Sequence, residues 1–278
     1  MKSIFRYTLL AFCFSLFIVF FSCKSEKRHL SAGIKKYTKG DYAGSIEEYS
    51  KAIEEKPDYW EAYFNRGLSE YKIKDYSKSL VDFQKALELN PDNVNAYSYI
   101  GLNYYNMKQF DKSLDAYNKA IDLNPKNIEL RMHRGSLFRE LNKFDESLND
   151  FNVMVKLDSF KADGYSFRGH LFSMMNKFEE AVYDFNKGIS ISPNDTNMLS
   201  NRGYSLLKLK EYDKALNDFN IVLKITPGSS SVYRYRALTY IEKKDIPNAC
   251  LDLKKALDLG FTASNGDEAE MLYKKHCK

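Results

Sequence analysis

Cysteine and histidine are scarce in this chain of 278 residues: four of each, alongside a single tryptophan. No Cys-x-x-Cys or His-Glu-x-x-His spacing occurs, so the ligand sets of common zinc sites are missing. His133 and His170 alone supply no third ligand for a metal. No glycine-rich loop follows a strand pattern, and no Ser/His/Asp set stands out, which leaves phosphate cradles and nucleophilic triads without material. The residues therefore indicate no enzyme, no metal and no cofactor. Charge of one sign is lacking too. Forty-two Lys and Arg against 37 Asp and Glu leave a net +5. It is spread along the chain, without the basic block interleaved with aromatics that a nucleic-acid partner calls for.

Proline is equally rare, yet five of the six fall in one register: Pro57, Pro91, Pro125, Pro193 and Pro227, with Ser159 interrupting the run. Glycine keeps the same spacing of thirty-four at Gly33, Gly67, Gly101, Gly135, Gly169 and Gly203, and Ala237 closes the column. Aromatics follow at Tyr42, Tyr76, Phe110, Phe144, Phe178 and Tyr212. A fixed period of this length means stacked supersecondary units. Within Trp60–Asn93, Tyr63, Gly67 and Glu70/Tyr71 keep helical spacing, then Tyr76, Leu80, Phe83 and Leu87 form one apolar stripe. Lys74-Asp75 breaks the two, and Asn90-Pro91 ends the second helix. Asn90, Asn124, Ser192 and Thr226, each just before proline, are expected to cap the helix that follows, with proline in its first turn. Two further columns are small: Ser45, Ser79, Ser113, Ser147, Ala181, Ala215, Ala249, and Ala52, Ala86, Ala120, Met154, Gly188, Val222, Ala256. Facing the glycines, they would let helix axes approach closely while aromatics fill the flanks.

In these columns the chain resembles the tetratricopeptide repeat. The resemblance covers seven units, 26–59, 60–93, 94–127, 128–161, 162–195, 196–229 and 230–263. It implies an all-α fold, a right-handed α-solenoid of seven helix-turn-helix repeats. His29 and Arg131 stand where the family has a large apolar or aromatic residue, Phe261 like Ser159 replaces proline, and Met154 and Val222 overfill a small site.

Residues 1–22 open with two basic residues and an apolar run from Leu9 to Phe21, the length of a signal-peptide core. Phe20-Phe21-Ser22-Cys23 resembles a bacterial lipoprotein cleavage site, which implies that Cys23 carries lipid. The alternative is an uncleaved anchor, and both readings tether the repeats to a membrane. Residues 23–29 form a tether overlapping the first unit. It is basic, either drawn to anionic headgroups or simply solvated.

At the other end, residues 264–278 place Ala269, Leu272 and Tyr273 on one face of a short helix, expected as the polar-backed cap that a stack of repeats needs. Cys250 and Cys277 would pin it by a disulfide in an oxidising compartment, or remain two thiols with Cys250 buried.

Five arginines precede the glycine column, and each has an aspartate sixteen residues on: Arg66/Asp82, Arg134/Asp150, Arg168/Asp184, Arg202/Asp218 and Arg236/Asp252. The units lacking the arginine lack the aspartate as well, with Ile100/Ala116 and Ala32/Glu48. Ion pairs within each hairpin account for this better than an arginine ladder for a polyanion.

In the family the first helices line a concave face that holds ligands, usually peptides. Subtracting the packing columns leaves Phe64, Tyr71, Tyr99, Tyr105, His133, Arg139, Phe167, His170, Tyr204 and Tyr235 as the candidate partner-binding face. The same rings could instead be filler between units. The lysine–asparagine clamp of some relatives is not evident, its places holding Phe64, Leu68, Ser98 and Leu102. The expectation is a membrane-anchored scaffold for a protein or peptide partner in bacterial envelope assembly, its repeats facing the periplasm or the cell exterior. The runner-up is a regulatory or localisation subunit of an envelope enzyme complex.

Overall fold

The computed structural model describes residues 25–261 and 268–277. The expected signal peptide and Cys23 lie outside them. Among the described residues every regular element is a helix, and no helix is long and apolar enough to cross a membrane. Two compact bodies, Met1–Leu130 and Arg131–Lys278, divide the chain. The first holds the hairpins α1 (25–38) with α2 (Tyr42–Glu55), α3 (Trp60–Lys72) with α4 (Tyr76–Leu89), and α5 (Val94–Asn106) with α6 (Phe110–Leu123). Next come α7 (Ile128–Glu140), which begins just before the boundary, and α8 (Phe144–Leu157). The second body continues with α9 (Ala162–Met174), α10 (Phe178–Ile191), α11 (Thr196–Lys208), α12 (Tyr212–Ile225), α13 (Ser230–Glu242), α14 (Ile246–Asp258) and a terminal α15 (Glu268–His276).

In each hairpin the first helix ends in a turn with one left-handed residue. Lys74, Lys108, Asn142, Asn176, Lys210 and Lys244 have φ between 56° and 66°, and Gly40 has φ 79°. The next amide folds back onto the first helix, as Asp75 N–H does onto the Glu70 carbonyl at 2.9 Å. The helix end is thus satisfied by its own backbone.

The expected caps fall elsewhere. Asn90, Asn124, Ser192 and Thr226 close the second helices, and the residue three places on starts the next first helix. Asn93, Asn127 and Asp195 accept from the amides of Ala96, Leu130 and Met198 at 2.9–3.1 Å. Asn93 N–H bonds the Asn90 carbonyl at 3.2 Å, so the proline occupies the second place of a four-residue turn, where its fixed φ fits. Reversing the chain between two helices needs that turn before a new helix can begin.

The glycine column also meets something other than the small columns. A Cβ built on Gly203 would lie 2.6 Å from the Phe219 ring, and one on Gly101 2.7 Å from Tyr117. Tyr49, Phe83, Phe151 and Phe185 stand the same way over Gly33, Gly67, Gly135 and Gly169. The missing side chain makes room for a buried ring, and where Ala237 replaces glycine, Leu253 replaces the ring. Beside the glycine, Ser79, Ser113 and Ser147 donate to the carbonyls of Gly67, Gly101 and Gly135 at 2.8 Å. The Ala52 column instead packs on the following first helix, and the two sides trade volume. Gly188 precedes Met198 by ten residues, and a Cβ on Gly188 would run into the Met198 sulfur. Met154 and Val222 are both buried in that column.

All five expected ion pairs form. Arg66 grips Asp82, Arg134 grips Asp150, Arg168 grips Asp184, Arg202 grips Asp218 and Arg236 grips Asp252, each with two N–H groups at 2.7–2.8 Å. Each pair ties the two helices of its own hairpin, as the sequence led us to expect, and the arginine does more. A third N–H reaches the preceding hairpin: Arg168 to Asn152, Arg202 to Asn186 and Arg236 to Asn220 at 2.6–2.9 Å, and Arg66 to Ser50 at 3.0 Å. One guanidinium thus joins three helices. Asp184 and Asp252 thereby help to hold neighbouring hairpins together, through Arg168 and Arg236, besides closing their own. Arg131 adds a bond to Asp150 at 3.1 Å, and His29 bonds Glu48 at 2.7 Å, so both unexpected polar residues serve a buried or half-buried carboxylate.

Cys250 and Cys277 are joined by a disulfide with Cα atoms 5.5 Å apart, which fastens α15 to α14. Ala269 is buried against Ala237, Leu253, Ala256 and Phe261, with Leu272 and Tyr273 at the edge. The bond closes a loop of 27 residues, a constraint worth about 3.5 kcal/mol in chain entropy. Cys250→Ser with Cys277→Ser should loosen α15 by that order, read as faster amide exchange over residues 268–277. Exchange in α9–α12 should barely change.

Glu70 on α3 is 5% exposed, and its Oε2 has no hydrogen-bond partner. Burial, followed by the nearby Asp82 charge, pushes its carboxyl up to about 8. Unfolded, it titrates at about 4.3, so between those values the folded chain holds the extra proton. Stability should therefore fall as pH rises through that window, by up to about 1.4 kcal/mol per pH unit from this group. Glu70→Gln should flatten that slope in urea melts between pH 5 and pH 8.

Candidate functional site

In the first body, α3 and α5 bring Phe64, Tyr71 and Tyr99 together. Ring centroids of Phe64 and Tyr99 are 6.1 Å apart, those of Tyr71 and Tyr99 5.7 Å, and Tyr99 stacks on buried Phe83 at 5.4 Å. Burial and then Glu129 raise the Tyr99 phenol, which stays protonated. Tyr105 packs on Phe110 at 5.9 Å. At the amino-terminal end of α3, Trp60 meets Phe64 edge-on at 6.5 Å. The two rings wall a cavity of about 370 Å³ with Glu61, Asn65, Asp92 and Asn95.

In the second body, Phe167 on α9 stacks on Phe151 at 5.5 Å. Tyr204 on α11 and Tyr235 on α13 lie 5.0 Å apart, and Tyr235 stacks on Phe219. His170 is held neutral by burial and then by Arg139 of α7, while His133 is half-buried on α7. Arg234 lies over the Tyr235 and Phe261 rings and donates to Glu268 of α15 at 3.0 Å, so the cap reaches a first-helix side chain. Among the described residues no three His, Cys, Asp or Glu side chains are placed to hold a metal.

All ten residues of the sequence-derived face are half-buried. Most of the rings fill space between neighbouring hairpins on one side and keep another side in solvent. Filler and contact surface are the same atoms. The five paired arginines are turned inward onto protein partners, with side chains 16–22% exposed. Their carboxylates are deeper still: Asp82, Asp150, Asp184, Asp218 and Asp252 are 0–5% exposed. Asp184 and Asp252, like the other three, therefore belong to the packing and not to the partner-binding face. The sequence reading passed over Trp60 and the acids around it. Its signal was the lone tryptophan, followed by Glu61, at the first turn of a repeat.

The family model for the tetratricopeptide repeat matches residues 60–93 and 94–127, and a second model, a TPR repeat, matches 35–74. Residues 35–127 are thus tetratricopeptide repeats. No curated protein matches it in sequence. Among solved structures, a tetratricopeptide repeat protein from Parabacteroides merdae is 20% identical over 92% of this chain and 100% of its own, with a TM-score of 0.67. YrrB, a TPR protein with an unusual peptide-binding site, is 20% identical over 69% of this chain and 97% of its own, TM-score 0.57. The APC/C hetero-tetramer Cut9–Hcn1 aligns at 17% identity over 86% of this chain and 48% of its own, TM-score 0.65. These likenesses give the tetratricopeptide-repeat protein its fold, an α-solenoid of seven hairpins and a cap.

Proposed function

We propose that this tetratricopeptide-repeat protein is a membrane-anchored scaffold for bacterial envelope assembly. Residues 1–22 direct export, Cys23 carries the lipid, and the first-helix faces hold a protein or peptide partner. The observation that carries the partner reading is the half-buried rings, Phe64, Tyr71 and Tyr99 in the first body and Tyr204 and Tyr235 in the second, fixed by packing on one side and open on the other. Rigid aromatic anchors lose little entropy on binding and dominate interfaces. The fold's use for peptides in YrrB and for subunit assembly in Cut9–Hcn1 supports the same reading. Photo-crosslinkers at Tyr99 and Tyr235, with a control at Tyr183 on a second helix, test it in membranes. Adducts to one partner at the first two sites support the scaffold; adducts only at Tyr183, or none, sink it. Mass spectrometry of the mature amino terminus decides the anchor, and an unmodified residue preceding Cys23 rules out lipidation there.

A further inference from the structure

We infer that the cavity beside Trp60 receives the lysine or arginine side chain of a partner peptide; this rests on the reading that the first body's face holds a peptide. Apolar surface comes from Trp60, Phe64 and Val94, and charge from Glu61 and Asp92, with no lysine, arginine or histidine in the lining. Neither carboxylate is engaged in an ion pair among the described residues. Asn65 spends one amide N–H on the Glu61 carbonyl at 2.6 Å, keeping a second N–H and its oxygen. Asn93 spends its oxygen on capping α5.

The asparagine amides of the lining offer donors and acceptors alike, so the carboxylates of Glu61 and Asp92, which only accept when ionised, decide what the cavity favours. Two carboxylates without a cation beside them want a cationic head, and the ammonium and guanidinium groups carry charge and only donors. The apolar wall suits the rest of the side chain, since lysine and arginine lay an aliphatic stem along rings while the head stays polar. A cation over tryptophan adds attraction. An anionic ligand would face two carboxylates, and a neutral sugar would leave their charge uncompensated. Phe64 belongs both to this wall and to the Tyr99 cluster, so a peptide seated on the rings delivers its next side chain to the cavity.

The test is selection of a random heptapeptide library on the full chain in mild detergent. Trp60 is the only tryptophan, so its fluorescence then reports occupancy directly. Enrichment of arginine or lysine beside an apolar residue is the expected result. A peptide so selected should shift Trp60 emission. Its affinity should fall about tenfold, the measure of roughly 1.4 kcal/mol, in Glu61→Gln with Asp92→Asn, and also when its basic residue becomes norleucine. Both substitutions in the protein are surface changes, and helical circular dichroism should be unaltered. Peptides enriched without a basic residue, or basic peptides indifferent to Glu61→Gln with Asp92→Asn, overturn the cavity assignment and leave the peptide-holding face standing. If no peptide is enriched, or chitotriose alone shifts Trp60, both ideas fail.

Discussion

Asp218→Ala should cost about 3–5 kcal/mol, the range for removing one partner of a buried pair. Asp218 is 1% exposed and takes two bonds from Arg202 at 2.7–2.8 Å. Without it, the Arg202 guanidinium keeps only the Asn186 oxygen, and two N–H groups face the interior unmet. Asp184 and Asp252 stand in the same position toward Arg168 and Arg236, so their alanine variants should behave alike. The chain itself contains the comparison. Ile100 and Ala116 occupy the equivalent places in the third hairpin and pack into one cluster with Leu80 and Phe83. Arg202→Ile combined with Asp218→Ala should therefore be less destabilising than Asp218→Ala alone, because the stranded charge is gone. Urea midpoints of the two singles and the double would give the coupling. A double as unstable as the sum of the singles would mean that the pair is not a unit. The loss should also slacken the junction between the fifth and sixth hairpins, since Arg202 is what reaches Asn186.

Much of this was written plainly in the sequence. Asp-Phe-Asn recurs at 150–152, 184–186 and 218–220, and one helical turn does three jobs: aspartate for its own arginine, ring over its own glycine, asparagine for the next arginine. The arginine–aspartate covariation was legible because both members change together. The third bond was not, since it joins residues of different repeats, and a search within one period cannot see it. The same limit hid the exchange of volume between Gly188 and Met198, which belong to consecutive repeats. Capping was misplaced for another reason. A polar residue before proline looks like a helix start, but chain reversal takes a turn first, and Asn93 or Asp195 three residues on does the capping. As for the face, sequence alone separates filler from contact surface only where a residue is wholly one or the other, and half-buried Phe64 and Tyr99 are both.

Phe219→Ala should cost about 3–5 kcal/mol, the usual loss when a buried phenylalanine is truncated. Its ring is 0% exposed and lies at the centre of a cluster with Leu199, Leu206, Ala215, Val222 and Val232. The reverse change, Gly203→Ala, pushes a methyl to 2.6 Å of that ring and should cost about 1–3 kcal/mol through overpacking. The informative variant combines Gly203→Ala with Phe219→Leu, which copies the Ala237/Leu253 pair of the last hairpin. If the glycine is there to seat the ring, adding the alanine should cost much less in the Phe219→Leu background than in the native one. A double-mutant cycle from thermal or urea melts would show an interaction energy of about 1 kcal/mol or more, as residues sharing one packing site do. Were the glycine there for close approach of helix backbones instead, alanine would cost the same with leucine or phenylalanine opposite, and the cycle would close at zero.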